Sequence, residues 1–215
     1  MILHRNVEYL FPTPVGVAII DPTKFDFKKY ADLVFNSLTP ENIEYMNANG
    51  VSPTVDDLHV KPEFRELVEL VESEVHTFFV EELGLDPNDL SMECMWANVQ
   101  VDGCRHHIHL HPNSFYSGSL YLDIPTEGFA DPGAIFFVDP RHAKQMQHAN
   151  YSKVHGLSMR SKGIKPETGM LLMFPSWLEH GTDVCKVGPG KYRISLSFNY
   201  ALRRADGMTM KLNLK

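Results

Sequence analysis

The chain has 215 residues and a mass of 24.5 kDa; 43% apolar and 22% charged residues are the balance of a folded globular protein and exclude a disordered one. Twenty Lys and Arg against 27 Asp and Glu leave a net charge of −7 and a pI near 5.8, and no basic run exceeds the pair Arg203-Arg204, so stable binding to nucleic acid is not expected. Cys94, Cys104 and Cys185 are scattered without a CxxC, which fits a reducing cytoplasm and argues against a disulfide framework; no apolar run approaches the ~20 residues of a membrane span, and the start Met-Ile-Leu-His-Arg-Asn lacks a secretory signal pattern.

At this length one domain over 1–215 is expected, with a mixed, partly helical portion to residue 85 and a β portion over 86–215. Residues 15–20 read as a short buried strand after the entry Phe11-Pro12-Thr13-Pro14. Phe27, Tyr30, Ala31, Val34 and Leu38 fall at helical spacing, with Pro40 beyond as a stop. Residues 42–61 are polar and turn-rich, and 45–60 is a candidate substrate loop. Pro62 opens a second helix with Leu67, Val71, Val75, Phe78 and Phe79 on one side and Gly84 as its cap.

Past residue 85 the helical period disappears. Residues 92–101, 117–124, 134–138, 169–174, 193–201 and 209–214 read as strands, separated by turns such as Asp131-Pro132-Gly133 and Gly188-Pro189-Gly190. Many short strands after two helices predict a mainly β fold, a sandwich or barrel with the helices packed outside. The long polar segment 141–165, with His142, His148 and His155, reads as a loop anchored at both ends, over or beside the mouth of the barrel.

Eleven histidines stand out, and the segment Gly103-Cys104-Arg105-His106-His107-Ile108-His109-Leu110-His111-Pro112 concentrates them. In an extended chain residues i and i+2 share a face. His107, His109 and His111 then lie on one face, with Ile108 and Leu110 turned the other way into a core. Two imidazoles at that spacing can reach one metal ion. His180, just past the strand that ends in Phe174-Pro175-Ser176-Trp177, can supply a third. Imidazole suits iron, copper, nickel and zinc. A solvated histidine-rich turn is the plainer alternative, but the distant third histidine favours a metal.

Downstream, Arg193, Ser195 and Ser197 share one face of a strand and Ile194, Leu196 and Phe198 the other. A guanidinium fork with a hydroxyl two residues on suits a carboxylate, and the inward face of 117–124 adds the phenol of Tyr121. An Arg salt-bridged at a sheet edge is the alternative. A metal and a carboxylate anchor in one barrel are what a 2-oxo acid co-substrate requires.

At these residues the sequence resembles the Fe(II)/2-oxoglutarate-dependent dioxygenases, and within them small bacterial and phage oxygenases with an HxHP strand end. The resemblance is carried by Leu10-Phe11-Pro12-Thr13-Pro14, Trp96-Ala97-Asn98, His109-Leu110-His111-Pro112-Asn113-Ser114, Tyr121-Leu122, Phe137-Val138-Asp139, Phe174-Pro175-Ser176-Trp177 with His180, and Arg193-Ile194-Ser195 through Asn199. It implies a double-stranded β-helix, a jelly roll, with the site in its open mouth and the N-terminal helices outside. It implies His109 and His180 as iron ligands and Arg193, with Tyr121 and Ser195, as the 2-oxoglutarate anchor. His111 stands where the common His-x-Asp pattern has its carboxylate. Either three histidines hold the iron or a carboxylate comes from elsewhere, Asp123 and Asp139 being the nearest candidates. The implied cofactors are Fe(II) and 2-oxoglutarate. The implied partners are O2 and a small-molecule or side-chain substrate, hydroxylated at a C–H as 2-oxoglutarate is oxidatively decarboxylated to succinate. Two rivals stand beside this reading. One is a cupin-like three-His dioxygenase without keto acid, for which Arg193 has no use; Phe115 and Tyr116 stand where a cupin has its Glu. The other is a non-catalytic jelly-roll binding module.

Overall fold

Alternation along three long strands sets the architecture. These are β2 (Leu90–Gln100), β3 (Tyr116–Asp123) and β8 (Arg193–Leu202). One face carries Met95, Ala97, Val99, Leu120, Leu122, Ile194, Leu196 and Phe198, all buried in a common apolar cluster. The other carries Trp96, Asn98, Gln100, Ser119, Tyr121, Arg193, Ser195 and Ser197, which line a cavity. A two-residue period separates the two sets because successive side chains leave a pleated strand on opposite sides.

The computed structural model describes residues 4–202 apart from 9, 50–55, 128–130, 147–149, 154, 155 and 157. With β1 (Gly16–Ile19) and β6 (Met170–Pro175), the three long strands form an antiparallel sheet in the order β1-β6-β3-β8-β2. A smaller antiparallel sheet has the order β5-β4-β7, from β5 (Ser161–Ile164), β4 (Ile135–Val138) and β7 (His180–Thr182). The two sheets form a jelly roll, and Tyr121, Ile124, Ile135, Phe137, Leu172 and Phe174 fill the apolar part of the space between them.

The helices cover the outer face of the larger sheet. In α1 (Phe27–Asn36), Asp26 caps the first turn by accepting from Lys29 N at 3.0 Å, and Phe27, Tyr30, Ala31 and Val34 are buried. In α3 (Arg65–Thr77), Leu67, Val68, Val71 and Val75 are buried in the same cluster as Leu120 and Leu196. Each such side chain removed from water contributes about 1.5–3 kcal/mol. A π-helical turn, Phe78–Glu82, follows α3, and Gly84 then takes a left-handed conformation (φ 64°), as expected of its cap position.

Pro40 does not stop a helix; it opens α2 (Pro40–Asn49). Thr39 Oγ1 accepts from Asn42 N at 3.2 Å, and Asn42 Oδ1 accepts from Thr39 N at 3.0 Å. Proline suits the first turn because its missing N–H has no intrahelical partner there. Of the described side chains of this helix, only Ile43 and the fully buried Met46 reach the core, too few to show a helical period, so its sequence reads as a turn. The proposed substrate loop 45–60 therefore begins inside this helix and ends in a short 3-10 turn, Leu58–Val60. Within 141–165 lie a 3-10 turn, His142–Met146, and β5, so this segment is not one continuous loop. The expected strand at 209–214, and His148 and His155, lie outside the described residues. No described helix is long and apolar enough to cross a membrane.

Gly118 marks the closest approach of three strands. A Cβ there would overlap the Phe198 ring and lie 2.5 Å from the Leu172 carbonyl oxygen. Neither neighbour has room to retreat in a packed core. Gly118→Ala should therefore destabilise the protein by about 1–3 kcal/mol. In urea this appears as a lowered unfolding midpoint with an unchanged slope; an unshifted midpoint contradicts this packing.

Candidate metal centre and carboxylate pocket

The histidine segment is held as an extra edge beside β7. His109 N donates to His180 O at 2.9 Å and His180 N to His109 O at 3.0 Å, while Thr182 N donates to His106 O at 3.0 Å. His111 N donates to Ser176 O at 2.9 Å. Past Pro112, Asn113 adopts a left-handed conformation (φ 68°) that turns the chain toward β3, a conformation Asn tolerates better than most residues. Direct pairing thus places His109 opposite His180, with His111 one pleat further on.

The three rings converge. Centroids lie 4.4 Å apart for His109 and His180, 5.2 Å for His111 and His180, and 5.3 Å for His109 and His111. One ligating nitrogen from each lies within 4.8 Å of the others, and the Nε2 atoms of His111 and His180 are 3.3 Å apart. His109 Nδ1 is 2.7 Å from His107 O, and His180 Nδ1 is 2.8 Å from Leu178 O. A carbonyl only accepts, so these Nδ1 atoms donate, and Nε2 is the nitrogen turned toward a metal. Burial holds His111 down to about 3 and His180 to about 4, so both are neutral donors at pH 7. Two imidazole nitrogens 3.3 Å apart require a proton or a cation between them. The donor set fits a divalent first-row ion that accepts nitrogen ligands.

Ile108 and Leu110 do not enter a core, contrary to the expectation from alternation. They are 56% and 42% exposed, because the histidine segment is a rim paired along β7. His107 is also exposed. Asp123 and Asp139 do not join the three histidines among the described residues. Asp139 pairs with Arg141 at 2.8 Å, and burial raises the Asp123 carboxyl above its ordinary range, the Lys28 charge on α1 offsetting part of this.

A buried hydroxyl network supports the His111 anchor. Ser176 Oγ lies 2.8 Å from Ser117 Oγ, which donates to Asn199 Oδ1 at 2.7 Å. Ser176 N also donates to Phe115 O at 3.1 Å. Aromatic side chains wall the centre: Phe174 lies 4.6 Å and Phe137 6.1 Å from the His180 ring, and Trp96 lies 5.7 Å from His111. Trp177 is 55% exposed and forms no part of the core.

At the far end of the same cavity lies Arg193, 2% exposed. Its Nη1 donates to Pro132 O at 2.8 Å and to Gly133 O at 3.3 Å; its Nε has no partner among the described residues. Its guanidinium lies 5.2 Å from the Tyr121 ring centre, with Nη2 3.5 Å from Tyr121 Oη. No carboxylate pairs with it among the described residues. The supporting turn depends on Gly133 (φ 72°), where a Cβ would lie 2.6 Å from Asp183 O. Tyr121 is fully buried, and burial raises its phenol above the ordinary tyrosine range, so it stays a protonated donor. Ser195 is 6% exposed and lines the cavity beside them.

Sequence reasoning missed Asn98, Gln100, His106 and Thr182, which line this cavity too. For Asn98 and Gln100 the signal was present, since they alternate with the buried Ala97 and Val99. It also missed that Cys104 and Cys185, remote in sequence, meet through the bonds Cys185 N to Cys104 O (2.8 Å) and Gly103 N to Cys185 O (2.7 Å); both are free thiols.

Residues 94–199 match the family described as "Putative 2OG-Fe(II) oxygenase". Comparison with curated proteins gives no match. Among solved structures, a Pseudomonas putida prolyl-4-hydroxylase superposes with a TM-score of 0.53 at 14% identity, over 90% of this chain and 94% of that one. A viral collagen prolyl hydroxylase from Paramecium Bursaria Chlorella virus-1 gives 0.51 at 15%, over 86% and 94%. The non-heme alpha-ketoglutarate-dependent epimerase SnoN of nogalamycin biosynthesis gives 0.57 at 11%, over 87% and 76%. At such identities these likenesses speak for the fold. The family match runs from β2 to β8 and takes in both His109-Leu110-His111 and His180, so it is the site-bearing part of the chain that is similar to the 2OG-Fe(II) oxygenases.

Proposed function

We propose that the protein is an Fe(II)- and 2-oxoglutarate-dependent dioxygenase that hydroxylates a C–H of a small-molecule or side-chain substrate. The observation that carries this reading is a buried Arg193, without a carboxylate partner among the described residues, in the same cavity as three convergent imidazoles. His109, His111 and His180 would hold the iron, and Arg193 with Tyr121 and Ser195 would hold the distal carboxylate of the keto acid. The iron centre, when loaded with 2-oxoglutarate and O2, supplies the oxidising power, with succinate and CO2 as co-products. The viral relative was solved as a complex with 2OG, in line with this assignment. The free thiols suit the reducing cytoplasm we propose for the enzyme.

The chain's own part is positioning and exclusion of water. The Nδ1–H groups of His109 and His180 are tied to carbonyls, which fixes the direction of their lone pairs. Arg193 and the phenol of Tyr121 present donors to an anion in a site shielded by Phe137 and Phe174, where charge-assisted hydrogen bonds are stronger than in water. A cupin-like dioxygenase without keto acid, or a mere binding module, gives this buried arginine no task.

Three outcomes are expected. Aerobic protein with ferrous iron and 2-oxoglutarate should form succinate even without a second substrate, and omission of either should stop it; no succinate under these conditions contradicts the assignment. His111→Ala should abolish or greatly weaken iron binding in anaerobic titration, whereas wild-type affinity in that variant moves the third ligand elsewhere. Arg193→Met should leave metal content intact but weaken 2-oxoglutarate binding. Loss of a buried charged pair costs about 2–5 kcal/mol, roughly 30-fold to several thousand-fold in Kd. Unchanged affinity removes Arg193 from the anchor.

A further inference from the structure

The orphaned donors of the cavity point to one more residue. Gln100 is 1% exposed, lines the cavity, and its Nε2 has no hydrogen-bond partner among the described residues. It is the direct cross-strand partner of Arg193 in the β2–β8 register, and Arg193 Nε is also without a partner. Two buried donors on neighbouring strands are thus left open side by side. Buried polar groups are satisfied in the great majority of native structures, and an unmet donor is costly. Other polar residues of this floor have found partners: Asn98 Nδ2 donates to Ser197 Oγ at 3.1 Å, and Ser119 Oγ lies 3.4 Å from Ser197 Oγ.

We infer that Gln100 is a second anchor for the distal carboxylate, its amide N–H and the Arg193 Nε–H both donating to that group, and that the pair sets selectivity for 2-oxo dicarboxylates over 2-oxo monocarboxylates. This inference rests on the 2-oxoglutarate reading. A carboxylate oxygen accepts several hydrogen bonds, and a planar guanidinium with an adjacent amide offers a fitting set. A 2-oxo acid ending in a methyl group would leave both donors buried and unmet, which is why such a site rejects it. The amide also does what a second cation could not: it adds a donor without placing another positive charge beside Arg193.

The test is calorimetric binding to Mn(II)-loaded protein without O2, comparing 2-oxoglutarate with 2-oxovalerate for wild type, Gln100→Leu, Gln100→Glu and Arg193→Met. Gln100→Leu should weaken 2-oxoglutarate binding about 10- to 100-fold, the range for a lost hydrogen bond to a charged group. It should bind 2-oxovalerate as well as or better than wild type, since one donor no longer goes unmet, so the preference for the dicarboxylate shrinks. Gln100→Glu keeps the shape, and its carboxylate would occupy Arg193 and repel the ligand, so it should weaken 2-oxoglutarate further. Mn(II) affinity should be unchanged in both. If Arg193→Met loses 2-oxoglutarate while both Gln100 variants bind it like wild type, this inference is overturned and the co-substrate reading stands. If wild type itself fails to bind 2-oxoglutarate, both are overturned.

Discussion

A single buried positive charge constrains this fold more than any other feature. Arg193 opens β8 at 2% exposure, and the chain offers it two carbonyl oxygens and the face of Tyr121. Moving a guanidinium out of water without a counter-charge costs several kcal/mol even after relaxation. A protein that keeps such a group has to hold it rigidly, and the Pro132–Gly133 turn does so, with Gly133 in a conformation and a space closed to other residues. The charge is oriented along the cavity, with the remaining donors left for a ligand.

At the other end of the cavity the chemistry is complementary. Burial keeps His111 and His180 neutral, so these two close neighbours do not stack like charges in the metal-free cavity. A ferrous ion on these ligands would retain its full double charge, where the common carboxylate-containing set offsets part of it. With Arg193 at the far end, the loaded cavity is positive at both ends, the polarity that suits a dianion spanning them. Phe174 and Trp96 pack beside the histidine rings, which limits screening by water there.

Much of this was legible because strands write their two faces into sequence directly. Ile194, Leu196 and Phe198 do face the helices, and Arg193, Ser195 and Ser197 do face the cavity. The His109–His111 spacing carried through for the same reason, since extended backbone puts both rings on one side whether or not a sheet continues beyond. The same alternation failed for Ile108 and Leu110, because period alone does not reveal whether anything covers the second face; here the segment is a rim. α2 escaped because its anchors are a Thr39–Asn42 cap and two core contacts, Ile43 and the buried Met46, too short an apolar stripe to show in the sequence. The Ser117–Ser176–Asn199 network and the meeting of Cys104 with Cys185 depend on contacts between distant segments, which single residues do not announce.

The central claim is that the three histidines and Arg193 hold the two ends of one ligated centre. A crystal structure of the protein grown anaerobically with ferrous iron and 2-oxoglutarate tests it most directly. The account predicts iron on His109, His111 and His180, with the keto end of 2-oxoglutarate on the metal and its distal carboxylate on Arg193. Iron held by a carboxylate of the chain in place of His111, or a dicarboxylate bound away from Arg193, would contradict it.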